Sequence, residues 1–271
     1  MLRTILILIM VIAPFVELSA QYQTVVPASR AWNRNDTIRY YLPEGGADSA
    51  RYPAVILLHG YGGNYKQWSN VAKLQVLSNE YGMALICPDG FSDSWYIDSP
   101  SGSGNQYSTF FGESILPAIT GNIPVDTSLM FITGLSMGGH GAIHLLMQYH
   151  EVFCAAGSLS GVLDLRVSAL AKTSLARLLG PKGSGNPNWA KYSAIDNIEK
   201  LKQAATPIII CCGSQDYLIE ANRAFARKCT DMGIDFVYME SPGKHERDYW
   251  RRTLPEQLRF FRKYVNKKTL Y

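Results

Sequence analysis

The feature that most constrains the fold is a regular alternation of short β-rich runs with longer helix-like stretches. The β-rich runs are AVILLHG (54–60), MALICPDG (83–90), LMFITG (129–134), CAAGSLSG (154–161), PIIICCGS (207–214) and DFVYMES (235–241). Helix-like stretches lie at 65–81, 107–120, 137–150, 217–232 and 247–265. The strand runs are almost continuously apolar, as expected where helices cover both faces of a sheet. The alternation therefore predicts an α/β domain with a largely parallel sheet.

Two segments depart from this alternation. TIRYYLP (37–43) alternates in polarity, which predicts an antiparallel edge strand. The connection between Gly161 and Pro207 is too long for an ordinary loop and contains the turn-rich GPKGSGNPNW (180–189). We interpret it as an insertion with its own helix over one end of the sheet, so residues 21–271 are predicted to form a single domain.

The first twenty residues, MLRTILILIMVIAPFVELSA, have the pattern of a secretory signal peptide. Arg3 gives a basic start, an apolar run follows, and the small residue Ala20 precedes the polar QYQT. Pro14 interrupts the apolar run, which is short for a membrane span. We expect residues 1–20 to be removed and the mature protein to be exported, periplasmic or extracellular, without stable membrane insertion.

Charge and cysteine content narrow the possible partners. The formal net charge is only +4, and much of the excess lies in the last helix-like stretch, which we interpret as a solvated face and not as a nucleic-acid site. No Cys–His grouping has the spacing of a zinc site, and we expect neither a metal nor a cofactor. Adjacent Cys211 and Cys212 would point to opposite faces of a strand. The five cysteines specify no disulfide, and the oligomeric state stays open.

Chemically useful residues follow the predicted strands. Because ligands bind at the carboxyl ends of parallel strands, the residues just after each run are the candidates. Ser136, Asp216 and His245 all occupy such positions, in the order Ser, Asp, His that α/β-hydrolases share. The sequence therefore predicts that these three side chains meet at one end of the sheet.

The segment Gly134-Leu135-Ser136-Met137-Gly138 fits the motif G-x-S-x-G between a strand and a helix. The two glycines let strand and helix approach closely, so the serine can sit on a sharp, exposed turn. A phosphate-binding loop would need Lys where His140 follows Gly139, and a dinucleotide fingerprint would need Gly at position 136. Packing without chemistry remains the alternative for this turn.

Among the histidines, His245 is the best candidate for a general base. It lies in a loop after the last strand, from which its imidazole can reach Ser136. His140 lies a turn down the helix that follows Ser136, so packing is expected of it, as of His144 and His150. His59 is expected to shape the glycine loop beside it by hydrogen bonding.

Asp216 is the predicted partner that orients the His245 imidazole. Capping of the next helix is the alternative role for it, and Asp164 and Glu246 are weaker rivals. An oxyanion would need two N–H donors. We expect them to be the backbone groups of Met137 and Tyr61, with Gly62 as the alternative to Tyr61.

The motifs LLHGYGGNYKQW, SWYIDSP, GLSMGGHGA, CCGSQDYLIEANRAF and PGKHERDYW, in this order, resemble the esterase D-related esterases. This family includes feruloyl, acetylxylan and tributyrin-type esterases, S-formylglutathione hydrolases and mycolyltransferases. The resemblance covers residues 35–265. It implies an α/β-hydrolase fold, a Ser136, Asp216 and His245 triad, and an oxyanion hole at Tyr61 and Met137. It also implies substrate contact at Trp95 and Tyr96, with core packing as the alternative.

One position departs from the family pattern, which often has a tryptophan two residues after the catalytic histidine. Arg247 stands there, so an aromatic wall is missing at that position or a positive charge lies near the site. The resulting hypothesis is a serine esterase acting on carbohydrate-linked feruloyl or acetyl esters, or on small short-chain acyl esters. An acyltransferase and a non-catalytic carbohydrate-binding relative are the alternatives.

Overall fold

The computed structural model of the chain describes residues 22–25, 36–47, 49–100, 104–170, 172–183 and 185–268. The predicted signal peptide, residues 1–20, lies outside the described residues. The described residues form eight strands, β1 to β8: Gln23–Val25, Ile38–Tyr41, Tyr52–Leu58, Ala84–Pro88, Val125–Gly134, Ala155–Leu159, Ile208–Gly213 and Phe236–Ser241. All six predicted β-rich runs contain a strand, and β5 begins four residues earlier than its run.

The strands form one sheet in the order β1-β2-β4-β3-β5-β6-β7-β8. β3 to β8 are parallel to one another, while β2 is antiparallel to β4. The antiparallel strand predicted at 37–43 is therefore present. Its placement at the edge is wrong, because the three-residue β1 pairs with its outer side. The mostly parallel sheet carries the carboxyl ends of β3 to β8 to the same side.

Ten α-helices, α1 to α10, lie in the described part of the chain: Gln67–Val71, Leu74–Tyr81, Tyr107–Phe110, Leu116–Asn122, Met137–Gln148, Leu175–Leu179, Asn188–Tyr192, Ile198–Ala204, Ile219–Asp231 and Arg247–Lys268. The stretch predicted as one helix at 65–81 is two helices, because Ala72 is extended. The break buries Trp68 of α1 and Leu74 of α2 in the same core layer. A π-helical turn, Phe111–Ile115, joins α3 to α4.

Alternate residues of the strands supply two core layers, one on each face of the sheet. On β3, Ile56 and Leu58 belong to one layer, whereas Val55 and Leu57 belong to the other. Helices α3, α4, α5, α8 and α9 bury apolar side chains in the first layer, and α1, α2 and α10 in the second. Both faces are therefore covered, which explains the nearly continuous apolar runs.

The segment between β6 and β7 is the predicted insertion. It contains α6, α7 and α8 with two short 3-10 turns, where the sequence indicated a single helix. Ser174 at the start of α6 accepts a hydrogen bond from Trp95 Nε1 at 3.2 Å, and Ser99 Oγ donates to Leu178 O at 2.6 Å. The insertion therefore packs against the loop after β4, at the carboxyl end of the sheet.

Candidate active site

Ser136 occupies a sharp turn between the end of β5 and the start of α5. Its backbone lies at φ 55° and ψ −115°, which an L-residue adopts only under strain. A Cβ on Gly134 would lie 2.3 Å from the Gly138 carbonyl oxygen, and one on Gly138 would lie 2.3 Å from Leu58 O. Both positions therefore require glycine, and the turn exposes the Ser136 side chain at the carboxyl end of the sheet.

Three side chains meet here in one hydrogen-bonded line. His245 Nε2 lies 2.9 Å from Ser136 Oγ, and His245 Nδ1 lies 2.9 Å and 3.1 Å from the two carboxylate oxygens of Asp216. Asp216 is 2% exposed. A buried carboxylate beside Nδ1 fixes the proton on that nitrogen, so Nε2 can accept the Ser136 hydroxyl proton. The arrangement suits proton abstraction from a nucleophilic serine.

The alternatives for the acidic member are engaged elsewhere or exposed. Asp164 Oδ1 accepts a hydrogen bond from Arg166 Nε at 2.8 Å, and Glu246 is exposed. Asp216 also accepts the Leu218 N–H at 2.9 Å, at the residue preceding α9. Leu218 is itself the N-cap residue and no side chain caps α9, so the capping alternative is wrong and Asp216 closes the turn before the helix.

The loop after β3 contains one backbone N–H group that no acceptor in the described residues engages. The Gly60 N–H donates to Gln67 Oε1 at 2.6 Å, and the Gly62 N–H donates to Ser92 O at 2.6 Å. Within the described residues, no hydrogen bond is formed by the Tyr61 N–H. This pattern favours Tyr61 over Gly62 as an oxyanion donor. Met137 is the first residue of α5, where helix N–H groups lack partners in the helix.

His59 organises this loop, as predicted. Its Nε2 accepts the Gly90 N–H at 2.7 Å, so Nδ1 carries the ring proton and donates to Gly60 O at 2.8 Å. Burial lowers the pKa of His59, which keeps the ring neutral. Tyr96 Oη donates to His59 O at 2.9 Å. The predicted hydrogen-bonding role of His59 is confirmed.

Trp95 and Tyr96 are enclosed in the core, with 1% and 0% of their surface exposed. The predicted substrate contact at Tyr96 is therefore wrong for this conformation, because no atom of that side chain reaches the cleft. Trp95 packs with its ring centroid 6.0 Å from that of Tyr61 and 6.1 Å from that of His140. The structure thus favours the packing alternative for both residues.

The surroundings of His245 are aromatic despite Arg247. Arg247 begins α10 and is exposed. The Trp250 ring meets the imidazole edge-on at 5.1 Å, and the Tyr217 ring lies 4.5 Å from it. Aromatic rings from positions 217 and 250 therefore flank the imidazole, although position 247 itself carries no ring. Sequence reasoning missed both rings, although Tyr217 directly follows Asp216 and Trp250 lies one helical turn after Arg247.

His140 and His144 lie behind the site. His140 is completely buried, and its ring stacks on that of His144 at 5.7 Å. The prediction that His140 packs is confirmed. Within the residues that the structure describes, no group of three or more His, Cys, Asp and Glu side chains could hold a metal ion. Over the same residues, no helix is long and apolar enough to cross a membrane.

Comparisons with known proteins point to one family. A family model described as "Putative esterase" matches residues 29–261. An acetyl esterase of Caldicellulosiruptor saccharolyticus is 30% identical over 247 residues, which are 83% of this chain and 91% of that relative.

Two solved structures have the same fold. A ferulic acid esterase superposes with a TM-score of 0.77 at 21% identity, covering 90% of this chain and 98% of that one. A fluorophosphonate-binding serine hydrolase of Staphylococcus aureus gives a TM-score of 0.77 at 21% identity, over 89% and 98% of the two chains. The predicted α/β-hydrolase fold is therefore confirmed.

Proposed function

Because the chain belongs to the "Putative esterase" family and is a carboxylic ester hydrolase, we propose that it works through a Ser136, His245 and Asp216 acyl-enzyme mechanism. The observation that carries this proposal is the continuous hydrogen-bonded line from Ser136 Oγ through the imidazole to the buried carboxylate. The preferred substrates of this hydrolase are carbohydrate-linked feruloyl or acetyl esters, or small short-chain acyl esters.

In the first half of the reaction, Ser136 Oγ attacks the ester carbonyl carbon while His245 Nε2 takes the hydroxyl proton. The carbonyl oxygen becomes an oxyanion, which the N–H groups of Tyr61 and Met137 stabilise. Each such donor contributes on the order of 10²–10³ in rate. The tetrahedral intermediate collapses, the bond to the alcohol oxygen breaks, and the His245 imidazolium gives that oxygen its proton.

In the second half, water takes the place of the alcohol. His245 removes a proton from water, and the hydroxide oxygen bonds to the acyl carbon. Collapse returns the electron pair and the proton to Ser136 Oγ and releases the acid. Asp216 stabilises the imidazolium in both halves. A sugar hydroxyl that replaced water would give acyl transfer instead of hydrolysis.

The nucleophile is tested with p-nitrophenyl acetate and a fluorophosphonate probe. Ser136→Ala is expected to lower kcat by at least about 10³-fold and to abolish covalent labelling. Ser214→Ala is the matched control, since Ser214 is an exposed serine that also follows a strand, and it should keep both properties. Labelling of the Ser136→Ala protein at the wild-type rate would refute the mechanism.

The substrate class is supported by the surface around the Tyr61 loop. Tyr61 and Tyr217 are 44% and 54% exposed, and the Tyr217 ring lies 4.5 Å from that of His245. Next to the Tyr61 loop lies a groove of about 650 Å³ with polar side chains suited to sugar hydroxyls, among them Asn64, Asp89 and Asn105. The names of the similar proteins, acetyl esterase and ferulic acid esterase, point to the same substrates.

A substrate panel tests this preference. It consists of p-nitrophenyl esters of increasing chain length, methyl ferulate and acetylated xylan. We expect the highest kcat/KM on acetyl or feruloyl esters and a decline with acyl length. Preference for long acyl chains would contradict the substrate class, and inactivity on every ester would favour a non-catalytic carbohydrate-binding protein.

We also propose export, from the signal-peptide pattern of residues 1–20. The test is expression of the full chain in a bacterial host, followed by fractionation and N-terminal sequencing. The expected product is extracytoplasmic and begins within a few residues of Gln21. A variant without residues 2–20 should stay in the cytoplasm. A cytoplasmic protein that still begins at Met1 would refute export.

A further inference from the structure

His140 joins the nucleophile helix to two other segments. It lies one turn after Ser136 in α5 and has no exposed surface. Its Nδ1 lies 3.2 Å from the Trp95 carbonyl oxygen, in the loop after β4, and its Nε2 lies 3.0 Å from the Tyr192 carbonyl oxygen, in the insertion. Both ring nitrogens therefore face hydrogen-bond acceptors.

The ring has one proton to place between these acceptors. Burial lowers the pKa of His140, so the neutral imidazole donates from a single nitrogen. The contact with Trp95 O is buried, while the contact with Tyr192 O is partly buried and Tyr192 borders a cavity of about 240 Å³. A buried carbonyl without a donor costs more than one that water can reach. The proton is therefore better placed on Nδ1, facing Trp95.

The loop that receives this hydrogen bond is strained. Four of its residues other than glycine have positive φ angles: Phe91 at 53°, Ser92 at 37°, Trp95 at 56° and Tyr96 at 60°. Such a conformation persists only where surrounding contacts hold it. His140 supplies one of these contacts from the helix that begins at the nucleophile.

The same loop sets the backbone of the candidate oxyanion hole. Ser92 O accepts the Gly62 N–H at 2.6 Å, and the Trp95 ring packs 6.0 Å from the Tyr61 ring. A displacement of the loop would therefore turn the Tyr61–Gly62 peptide group, whose N–H Ser92 holds, and would shift the Tyr61 ring and with it the Tyr61 backbone. The Tyr61 N–H would then lose its alignment with an oxygen held at Ser136.

We propose that His140 is a positioning residue for the oxyanion hole. By donating from Nδ1 to Trp95 O, it holds the strained loop, and through Ser92 the Tyr61 N–H, at a fixed position relative to Ser136. Helix α5 thus sets the positions of the nucleophile and of the donor opposite it. This inference rests on the proposed acyl-enzyme function.

Two amide substitutions separate the two contacts of the ring. In His140→Asn the side-chain NH₂ can occupy the place of Nδ1, whereas in His140→Gln it can occupy the place of Nε2. With p-nitrophenyl acetate, His140→Gln is expected to lower kcat about 10-fold or more with KM within about twofold, because the oxyanion acts in the transition state. His140→Asn should keep kcat within about threefold of wild type.

His144→Phe is the control, since His144 stacks on the His140 ring, whereas His140 makes the hydrogen bonds to the Trp95 and Tyr192 carbonyl groups. It should leave kcat and KM unchanged. Equal losses in His140→Asn and His140→Gln, or a loss seen in KM alone, would overturn the proposal. Thermal melting of each variant is measured beside the kinetics, to separate positioning from folding.

A measurement on the wild-type protein covers the case in which a variant does not fold. In ¹⁵N-histidine-labelled protein at pH 7.5, His140 is expected to show a protonated Nδ1 and an unprotonated Nε2. The opposite tautomer would overturn the proposal. Failure of the proposed function is recognised separately, by undiminished turnover or labelling in Ser136→Ala, and the tautomer can still be determined in that case.

Discussion

Asp216 gives the sharpest test at the scale of single residues, because one atom distinguishes it from asparagine. In Asp216→Asn the imidazole loses the negative charge beside Nδ1, and the amide can favour the wrong tautomer. We expect kcat for p-nitrophenyl acetate to fall about 10³- to 10⁴-fold, with little change in KM.

The control for this change is the rival carboxylate. Asp164→Asn removes a charge that is paired with Arg166 and has no contact with His245, so kcat should stay within about twofold of wild type. An Asp216→Asn enzyme that kept more than a tenth of wild-type kcat would exclude Asp216 as the orienting group.

His144 makes the stability of the protein sensitive to acid. Burial lowers its pKa to about 3, with smaller effects from His140 and Lys200. In the unfolded chain the pKa of a histidine is about 6.5. Between these values the unfolded state binds more protons, so stability falls as the pH falls. From pH 7 to pH 5 the free energy of unfolding of the wild type should fall by about 2 kcal/mol more than that of His144→Phe.

Urea unfolding at the two pH values measures this difference. His150→Gln is the control, because His150 is exposed just beyond the same helix and its removal should leave the acid sensitivity of wild type. Identical pH dependence in wild type and His144→Phe would show that His144 does not contribute. Both histidines lie away from the proposed reaction, so activity should change little at pH 7.

Gly138 tests the turn between β5 and α5 at the scale of elements. A Cβ there would lie 2.3 Å from Leu58 O and 2.6 Å from His59 O, both of which are backbone atoms of the neighbouring segment. Gly138→Ala must push α5 away from β3, and with it the Ser136 turn. We expect destabilisation of about 1–3 kcal/mol and loss of most esterase activity.

Gly121 in α4 is the matched control, since a Cβ there meets nothing within 4 Å and its φ is not positive. Gly121→Ala should raise stability by up to about 1 kcal/mol and leave kcat unchanged. Urea unfolding and p-nitrophenyl acetate turnover measure both variants. If the two substitutions had the same effect, close packing at the turn would not be the cause.

The sequence predicted strands and helices well where burial leaves a simple pattern of apolar residues. Strands β3 to β7 are apolar runs because helices cover both faces of the sheet there, whereas the edge strand β8 is only partly buried. The family resemblance is confirmed by the match over residues 29–261. β1 was missed because it is three residues long and mostly exposed. The break between α1 and α2 at Ala72 has no glycine or proline to mark it. It accompanies the packing of Trp68 and Leu74 in one core layer.

The whole molecule explains why three residues distant in sequence meet. Ser136 and His245 are 109 positions apart, yet they follow β5 and β8, with Asp216 after β7 between them. The sheet order places β5 to β8 side by side and parallel. The sequence indicated a common end of the sheet from the strand pattern. The aromatic neighbours Tyr217 and Trp250 depended on tertiary packing that no local pattern encodes.

The five cysteines of the molecule differ in how readily their thiols react with an alkylating reagent. None of the five forms a disulfide. Burial raises the pKa of the thiols of Cys211 and Cys229 to about 12, and that of Cys87 and Cys212 further. A buried thiol with a raised pKa offers little thiolate to an alkylating reagent. Cys154 is partly exposed, so we expect it to react first.

Iodoacetamide labelling of the native protein at pH 8, followed by intact mass spectrometry, measures this distribution. We expect one alkylation, located at Cys154 by peptide mapping, and five after unfolding in guanidinium without a reducing agent. Cys154→Ser should give no alkylation in the native state. Because stability then owes nothing to a disulfide, dithiothreitol should leave the melting temperature unchanged. Fewer than five additions in the unfolded chain, or a fall in melting temperature with dithiothreitol, would contradict this distribution.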